Sequence, residues 1–108
     1  MEDWRIADGQ ITASTYTDFR YVPSNARLNR AGDSTTSFSS WSSAFRDAYQ
    51  WIQVDLGFVM MVSGIVLQGR VEYVQYVTKY KVRYISDDDS SWRWVKDSSG
   101  QDDMVRLK

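Results

Sequence analysis

Three short stretches of this 108-residue chain combine residue types that can do chemistry. "YTDFRY" packs Tyr16, Asp18, Phe19, Arg20 and Tyr21 into six residues. "FRDAY", from Phe45 to Tyr49, sets Arg46 beside Asp47. "GRVEYVQYV", from Gly69 to Val77, carries Arg70, Val71, Glu72, Tyr73, Val74 and Tyr76. The chemistry these residues offer is non-covalent recognition. Aromatic rings enter a membrane interface while keeping a polar end wet, and they present flat apolar faces to the C–H side of a sugar. A guanidinium next to a carboxylate can hold sugar hydroxyls or a phosphate, and the two can equally pair with each other.

Covalent chemistry is poorly provided for. The chain has neither cysteine nor histidine, which excludes disulfides, thiolate metal sites and every Ser-His-Asp or Cys-His constellation. The usual general base near neutral pH is missing too. The carboxylates fall mostly in loop-like runs, Asp87 to Asp89 and Asp102–Asp103, which read as solvated turns. The expectation is a protein that is not an enzyme. A net charge of −1 argues against a nucleic-acid-binding surface spread over the whole molecule. No apolar run reaches bilayer-spanning length, and the opening "MEDWRIADGQ" shows no signal-peptide pattern.

The elements that must position these stretches read as strands and loops. A first strand is expected at Gln10 to Ser14, after the Asp8-Gly9 turn. A polar loop follows to about Ala48, broken by Pro23 and Gly32. "QWIQVDLG" alternates, with Ile52, Val54 and Leu56 on one side and Trp51, Gln53 and Asp55 on the other. "VMMVSGIVLQG" is apolar on both faces and reads as a centrally buried strand, with Gly64 at a bulge or close approach. "VTKYKVRYI" puts Thr78, Tyr80, Val82 and Tyr84 on a core face. It leaves Lys79, Lys81 and Arg83 on a solvated face that needs no partner. "SWRWVK" completes a hairpin after the acidic turn. The expected core is Trp51, Ile52, Val54, Leu56, Ile65, Leu67, Tyr80, Val82 and Tyr84. No helical periodicity is sustained, and the pattern points to an all-β sandwich or jelly roll.

The ordered set "DGQITAS", "NARLNR", "QWIQVDLG", "VSGIVLQGR", "YVTKYKVRYISDD" and "SSW" resembles the discoidin domain, the C-type module of coagulation factors V and VIII. The resemblance runs from Met1 to about Gly100. It implies an all-β, discoidin-like jelly-roll β-sandwich and a non-catalytic module that binds through loops at one end. Three departures stand out. No disulfide can join the two ends. Asp89 takes the place of a turn glycine, and Asp can enter the left-handed region at some energetic cost. The family pattern also continues past "DDMVRLK". The chain is therefore expected to be a single domain over 1–108 that lacks its usual C-terminal strands, with an open sheet edge.

The resemblance also implies where ligands sit. Tyr16–Tyr21 matches the first protruding loop, with Phe19 or Tyr21 expected at its tip and Tyr16 the most natural ring to be core. Arg70–Tyr76 matches a second loop, with Val71, Tyr73 and Val74 at its tip flanked by Arg70 and Glu72; the other reading folds Tyr73 and Val74 back on the sandwich. Arg46 and Asp47 stand where members place polar ligand contacts. "NARLNR" reads as scaffold, Leu28 tucked in and Arg27 and Arg30 bonded to loop backbone or carboxylates, with Trp41 packed beneath. The implied role is an extracellular recognition or adhesion module for a cell-surface glycan or an anionic phospholipid membrane surface, and no nucleic acid. The alternative is a protein-interaction fragment, or a homo-oligomer, using the open edge. No cofactor is expected. Calcium is not favoured, because "NARLNRAGD" lacks the acidic pattern of calcium-holding members.

Overall fold

The computed structural model describes residues 5–33, 35–62, 64–70, 75–86, 88–95 and, for their backbone, 105–106. It divides into two compact units, Met1–Gln75 and Tyr76–Lys108. All regular structure among the described residues is strand or short 3₁₀ turn. In the first unit, β1 (Ile11–Ala13) pairs antiparallel with β2 (Ile52–Val54), with Ile11 opposite Val54, Thr12 opposite Gln53 and Ala13 opposite Ile52. The strands lie where the alternation of β-branched residues put them, though shorter.

Side chains from the flanking turns lock this ladder at one end. The Gln10 backbone carbonyl accepts from Asp55 N–H, while its side-chain amide donates to the Asp55 carbonyl and accepts from Ala7 N–H. Gly57 ends the strand in the left-handed region (φ 82°), a conformation glycine reaches without strain, and its N–H donates to the Asp55 carboxylate.

The 3₁₀ turn Pro23–Ala26 packs against β1, with proline in the first-turn position that its fixed φ suits. Around it lies the best-buried part of the unit: Ile11 (4% exposed), Phe38, and the polar residues Asn25 (1% exposed), Arg27 and Ser39. Buried polar groups need partners, and Asn25 and Arg27 both find them. Asn25 Nδ2 donates to the Arg20 carbonyl at 2.7 Å. Arg27 donates to the Ile6 carbonyl and to the Asp8 carboxylate. Arg30 donates to the Ser37 hydroxyl, and Leu28 is half-buried. Trp41 donates its indole N–H to the Thr15 carbonyl at 2.8 Å. Arg27 and Trp41 thus fit the scaffold reading, while the Arg30 side chain bonds to a hydroxyl and, among the described residues, not to loop backbone or a carboxylate.

Phe58 to Leu67 departs from the buried-strand expectation. Among its described residues, Phe58, Val59, Met60, Met61, Val62, Ile65, Val66 and Leu67 are all exposed, Met61 to 94%. No backbone–backbone hydrogen bond reaches the described residues 56–69. The apolar run is an extended segment without a ladder, so nothing removes its side chains from water. The expected core is corrected accordingly. Trp51, Ile52, Ile65, Leu67 and Tyr84 are exposed, and Val54, Leu56, Tyr80 and Val82 are half-buried.

In the second unit, β3 (Lys79–Tyr80) pairs antiparallel with β6 (Val105–Arg106), and β4 (Arg83–Tyr84) with β5 (Arg93–Trp94). The expected hairpin after the acidic turn is thus present. Asp89 does not occupy the left-handed region. Among the described residues the only non-glycine with positive φ is Asn29, at 58°. Asp89 instead closes the turn through its side chain, accepting from Ser86 N–H, the Ser86 hydroxyl and Arg93. These bonds, with the Ser86 amide contributing most, hold its carboxyl below the usual carboxylate range.

Candidate functional site

Two of the three stretches meet in the first unit. Thr17 N–H donates to the Ser42 carbonyl and the Thr17 hydroxyl to the Ser43 carbonyl. Ala44 N–H donates to the Thr15 hydroxyl. Gln50 Oε1 accepts from the Ser14 and Thr15 hydroxyls, and Trp51 N–H donates to Ser14 Oγ. This polar zipper continues the β1–β2 ladder past its last strand residue and fastens the two loops side by side. Serines and threonines suit the task, because each hydroxyl both donates and accepts.

With their bases satisfied, the zipped loops turn apolar rings outward. Phe19 is 69% exposed and Tyr49 85%, while Tyr16 and Phe45 are each about half exposed. Tyr16 is therefore not a core residue, the alternative its position offered. The two "FRDAY" rings that flank Arg46 and Asp47 join the exposed set. Their signal was in the sequence, as aromatics at both ends of a five-residue polar turn. Asp47 does not pair with Arg46: it accepts from Tyr49 N–H and the Gln50 amide, shaping the turn. Arg46 is exposed and forms no ion pair among the described residues.

Tyr21 takes a different role from Phe19. It is half-buried and stacks on Phe38 with centroids 4.7 Å apart and an interplanar angle of 23°. Such a pair contributes about 0.5–1.5 kcal/mol beyond area burial. Arg20 lies 5.3 Å from the Phe38 centroid and 5.8 Å from that of Tyr21, and Arg70 lies 4.7 Å and 5.1 Å from the same two rings. Arg20 is also bidentate on Asp18, which caps the turn by accepting from Arg20 N–H. The guanidinium's hydrogen bonds are the main reason the Asp18 carboxyl sits below its ordinary range. Phe38, absent from the expected site, is thus the hub of this brace.

Arg70 connects the second loop to the first. It reaches Gln75 through two bonds, N–H to the Gln75 carbonyl and Nη1 to Oε1, each 2.8 Å. The base of the Arg70–Gln75 turn is thereby anchored on the Tyr21–Phe38 pair. The tip residues Val71, Glu72, Tyr73 and Val74 lie outside the described residues. Tyr76 belongs to the second unit and is half exposed.

Among the described residues no cluster of three or more carboxylates gathers. Asp33, in the stretch where calcium-holding members place ligands, is committed to its own loop. Its carboxylate accepts from the N–H groups of Thr35, Thr36 and Ser37 and from the hydroxyls of Thr35 and Thr36. The Thr36 hydroxyl leads the effect, and the carboxyl is held far below the usual range.

A β1–β2 ladder carrying long, internally bonded loops with rings at their tips, and no constellation for covalent chemistry, describes a loop-presenting β module. A family model for the F5/8 type C domain matches residues 10–107, and the chain belongs to that family, whose fold is the discoidin jelly-roll β-sandwich. The chain is 36% identical over 105 residues to retinoschisin of Takifugu rubripes, covering 93% of this chain and 36% of that protein. It is 34% identical over 113 residues to lactadherin of Sus scrofa, covering 97% and 26%. With neuropilin-1 of Gallus gallus it shares 38% over 99 residues, covering 87% and 10%. The chain thus spans less than half the length of each of these relatives.

Proposed function

We propose that residues 1–108 act as one non-catalytic recognition and cell-adhesion domain on the extracellular side, engaging a cell-surface glycan or an anionic phospholipid surface through loop tips. Discoidin relatives are non-enzymatic adhesion and phospholipid-binding modules, found outside the cell or at its surface. The observation that carries the proposal is the zipped pair of loops holding Tyr16, Phe19, Phe45 and Tyr49 outward beside Arg46. Rings fixed on a satisfied polar base lose little conformational freedom on binding, so more of their contact energy appears as affinity. Arg70, at the start of the second loop, is braced on Tyr21 and Phe38.

Flotation with liposomes, with and without phosphatidylserine, alongside a glycan array tests the proposal and separates the two ligand classes. Binding in either format that is lost in Phe19→Ser and Tyr49→Ser supports it. Wild-type binding in neither format, or binding indifferent to both substitutions, overturns it.

A second reading rests on a different observation. The exposed, ladder-free run Phe58–Leu67 is an apolar β-prone segment whose backbone groups are available to another strand. Strand addition by a partner chain, or by a second copy, would cover it. Light scattering across a concentration series, paired with hydrogen exchange of this segment, tests that reading. A dilute monomer with protected amides in 58–67 would overturn it.

A further inference from the structure

The β4–β5 hairpin brings together residues that looked unrelated along the chain. Trp94 stands directly opposite Arg83 in the register, and the ladder is prolonged by Val95 N–H donating to the Val82 carbonyl. The Arg83 guanidinium lies 4.7 Å from the Trp92 ring centroid and 5.6 Å from that of Trp94, and Lys81 Nζ lies 5.6 Å from Trp94. Lys79 and Lys81 precede Arg83 at two-residue intervals, and all three are exposed. The stripe expected to be a plain solvated face is instead an interleaved cation–indole surface.

This arrangement sets what the face can recognise. A guanidinium over an indole ring has one π-face covered by the aromatic system, while its N–H donors point outward in its own plane. Those donors suit a sulfate or carboxylate. Arg83 forms no hydrogen bond or ion pair among the described residues. The nearby Asp89 is occupied by Ser86 and Arg93. Trp94 remains 40% exposed, enough to offer part of its ring to a second apolar surface. Exposed cations beside a partly open indole fit a ligand with repeated negative charges on a flat C–H face.

We infer that this face is a binding site for a sulfated or carboxylated polysaccharide, separate from the aromatic loop tips. Anionic groups engage Lys79, Lys81 and Arg83, and a sugar ring lies against Trp94. The indole distinguishes this site from a diffuse basic patch, which would accept any polyanion.

The test uses heparin as the probe, with polyglutamate as a polyanion that has no sugar ring and phosphatidylserine vesicles as a lipid surface. Calorimetric titrations compare wild type with Arg83→Gln, Trp94→Leu and Trp94→Tyr, each checked for an unchanged melting temperature. Arg83→Gln and Trp94→Leu are expected to weaken heparin binding at least tenfold, while Trp94→Tyr, which keeps a ring, holds within threefold of wild type. Phe19→Ser is expected to leave heparin affinity unchanged, which separates this site from the loop-tip proposal. Heparin bound no more tightly than polyglutamate at equal charge, or equally well by Trp94→Leu, would overturn the inference. So would vesicle binding that depends on Arg83 and Trp94 while heparin binding does not.

Discussion

The polar loops between Ser14 and Gln50 and the apolar run from Phe58 to Leu67 reverse the usual relation between composition and burial. The loops hold Asn25, Arg27 and Ser39 buried, and Asn25 and Arg27 bond to backbone carbonyls and to the Asp8 carboxylate. The apolar run stays exposed, since burial requires a second surface and its described residues have no ladder to bring one. A polar segment can satisfy itself locally through hydroxyls and carboxylates. An apolar strand depends on contacts distant in sequence, because the hydrophobic effect acts only when area is removed from water.

Substitutions test that contrast most strongly in the apolar residues. Ile11→Ala, at a 4% exposed site, should destabilise the protein by about 2–4 kcal/mol, whereas Ile65→Ala on the exposed run should cost less than about 0.5 kcal/mol. Chemical denaturation of the two variants decides it. Equal losses would mean that the run is covered in solution and the contrast fails. Val54→Ala, half-buried opposite Ile11, should fall between them at about 1 kcal/mol.

The polar side of the contrast is sharpened by Arg27→Ala. The guanidinium is buried but its carboxylate partner Asp8 is largely exposed, so removal orphans no buried charge. A loss of about 2–3 kcal/mol is expected from the severed bonds to Ile6 and Asp8 and the space left behind. Arg27→Lys should recover only part of it, because a single ammonium cannot reproduce the fork. Unchanged stability in Arg27→Ala would show that the buried polar cluster is incidental to folding.

The loop tips predict a binding effect without a stability effect. Phe19→Ser and Tyr49→Ser should each weaken binding to the responsive liposome or glycan by about tenfold to a hundredfold, the loss of one ring contact of roughly 1.5–3 kcal/mol. Their melting temperatures should stay close to wild type because both rings are exposed. Phe38→Leu should do the opposite in part. It should lower stability by removing the Tyr21 stack, and weaken binding only through loosened loops.

The smallest expected effect is on acid stability. Asp18, Asp33 and Asp89 all have folded-state pKa values below the ordinary one, the largest causes being the Arg20, Thr36 and Ser86 hydrogen bonds respectively. A depressed carboxyl contributes stability that is full above the unfolded pKa, near 3.9, and is lost as pH falls through the folded value. Melting temperature should therefore fall as pH drops below about 4. In Asp33→Asn that fall should be shallower, since one of the three titrating groups is gone. An identical slope would show that the Asp33 loop is not coupled to folding.

The sequence by itself determined the all-β class, the places of the first two strands, the scaffold role of Arg27 and Trp41, and the loops that carry rings. Each is written in a short stretch, as β-prone or alternating residues, turn residues or hydroxyl-rich segments. Tertiary structure alone decided what those pieces do together. Tyr16 and Phe19 lie outside while Tyr21 stacks on Phe38, because only one of the three rings meets a partner from a distant stretch. Arg70, expected to flank the tip of its loop, lies against the same pair. The stripe Lys79, Lys81 and Arg83 acquires its tryptophans only through cross-strand register, which no single segment encodes. Alternation says which residues share a face, but pairing across the chain decides what that face meets.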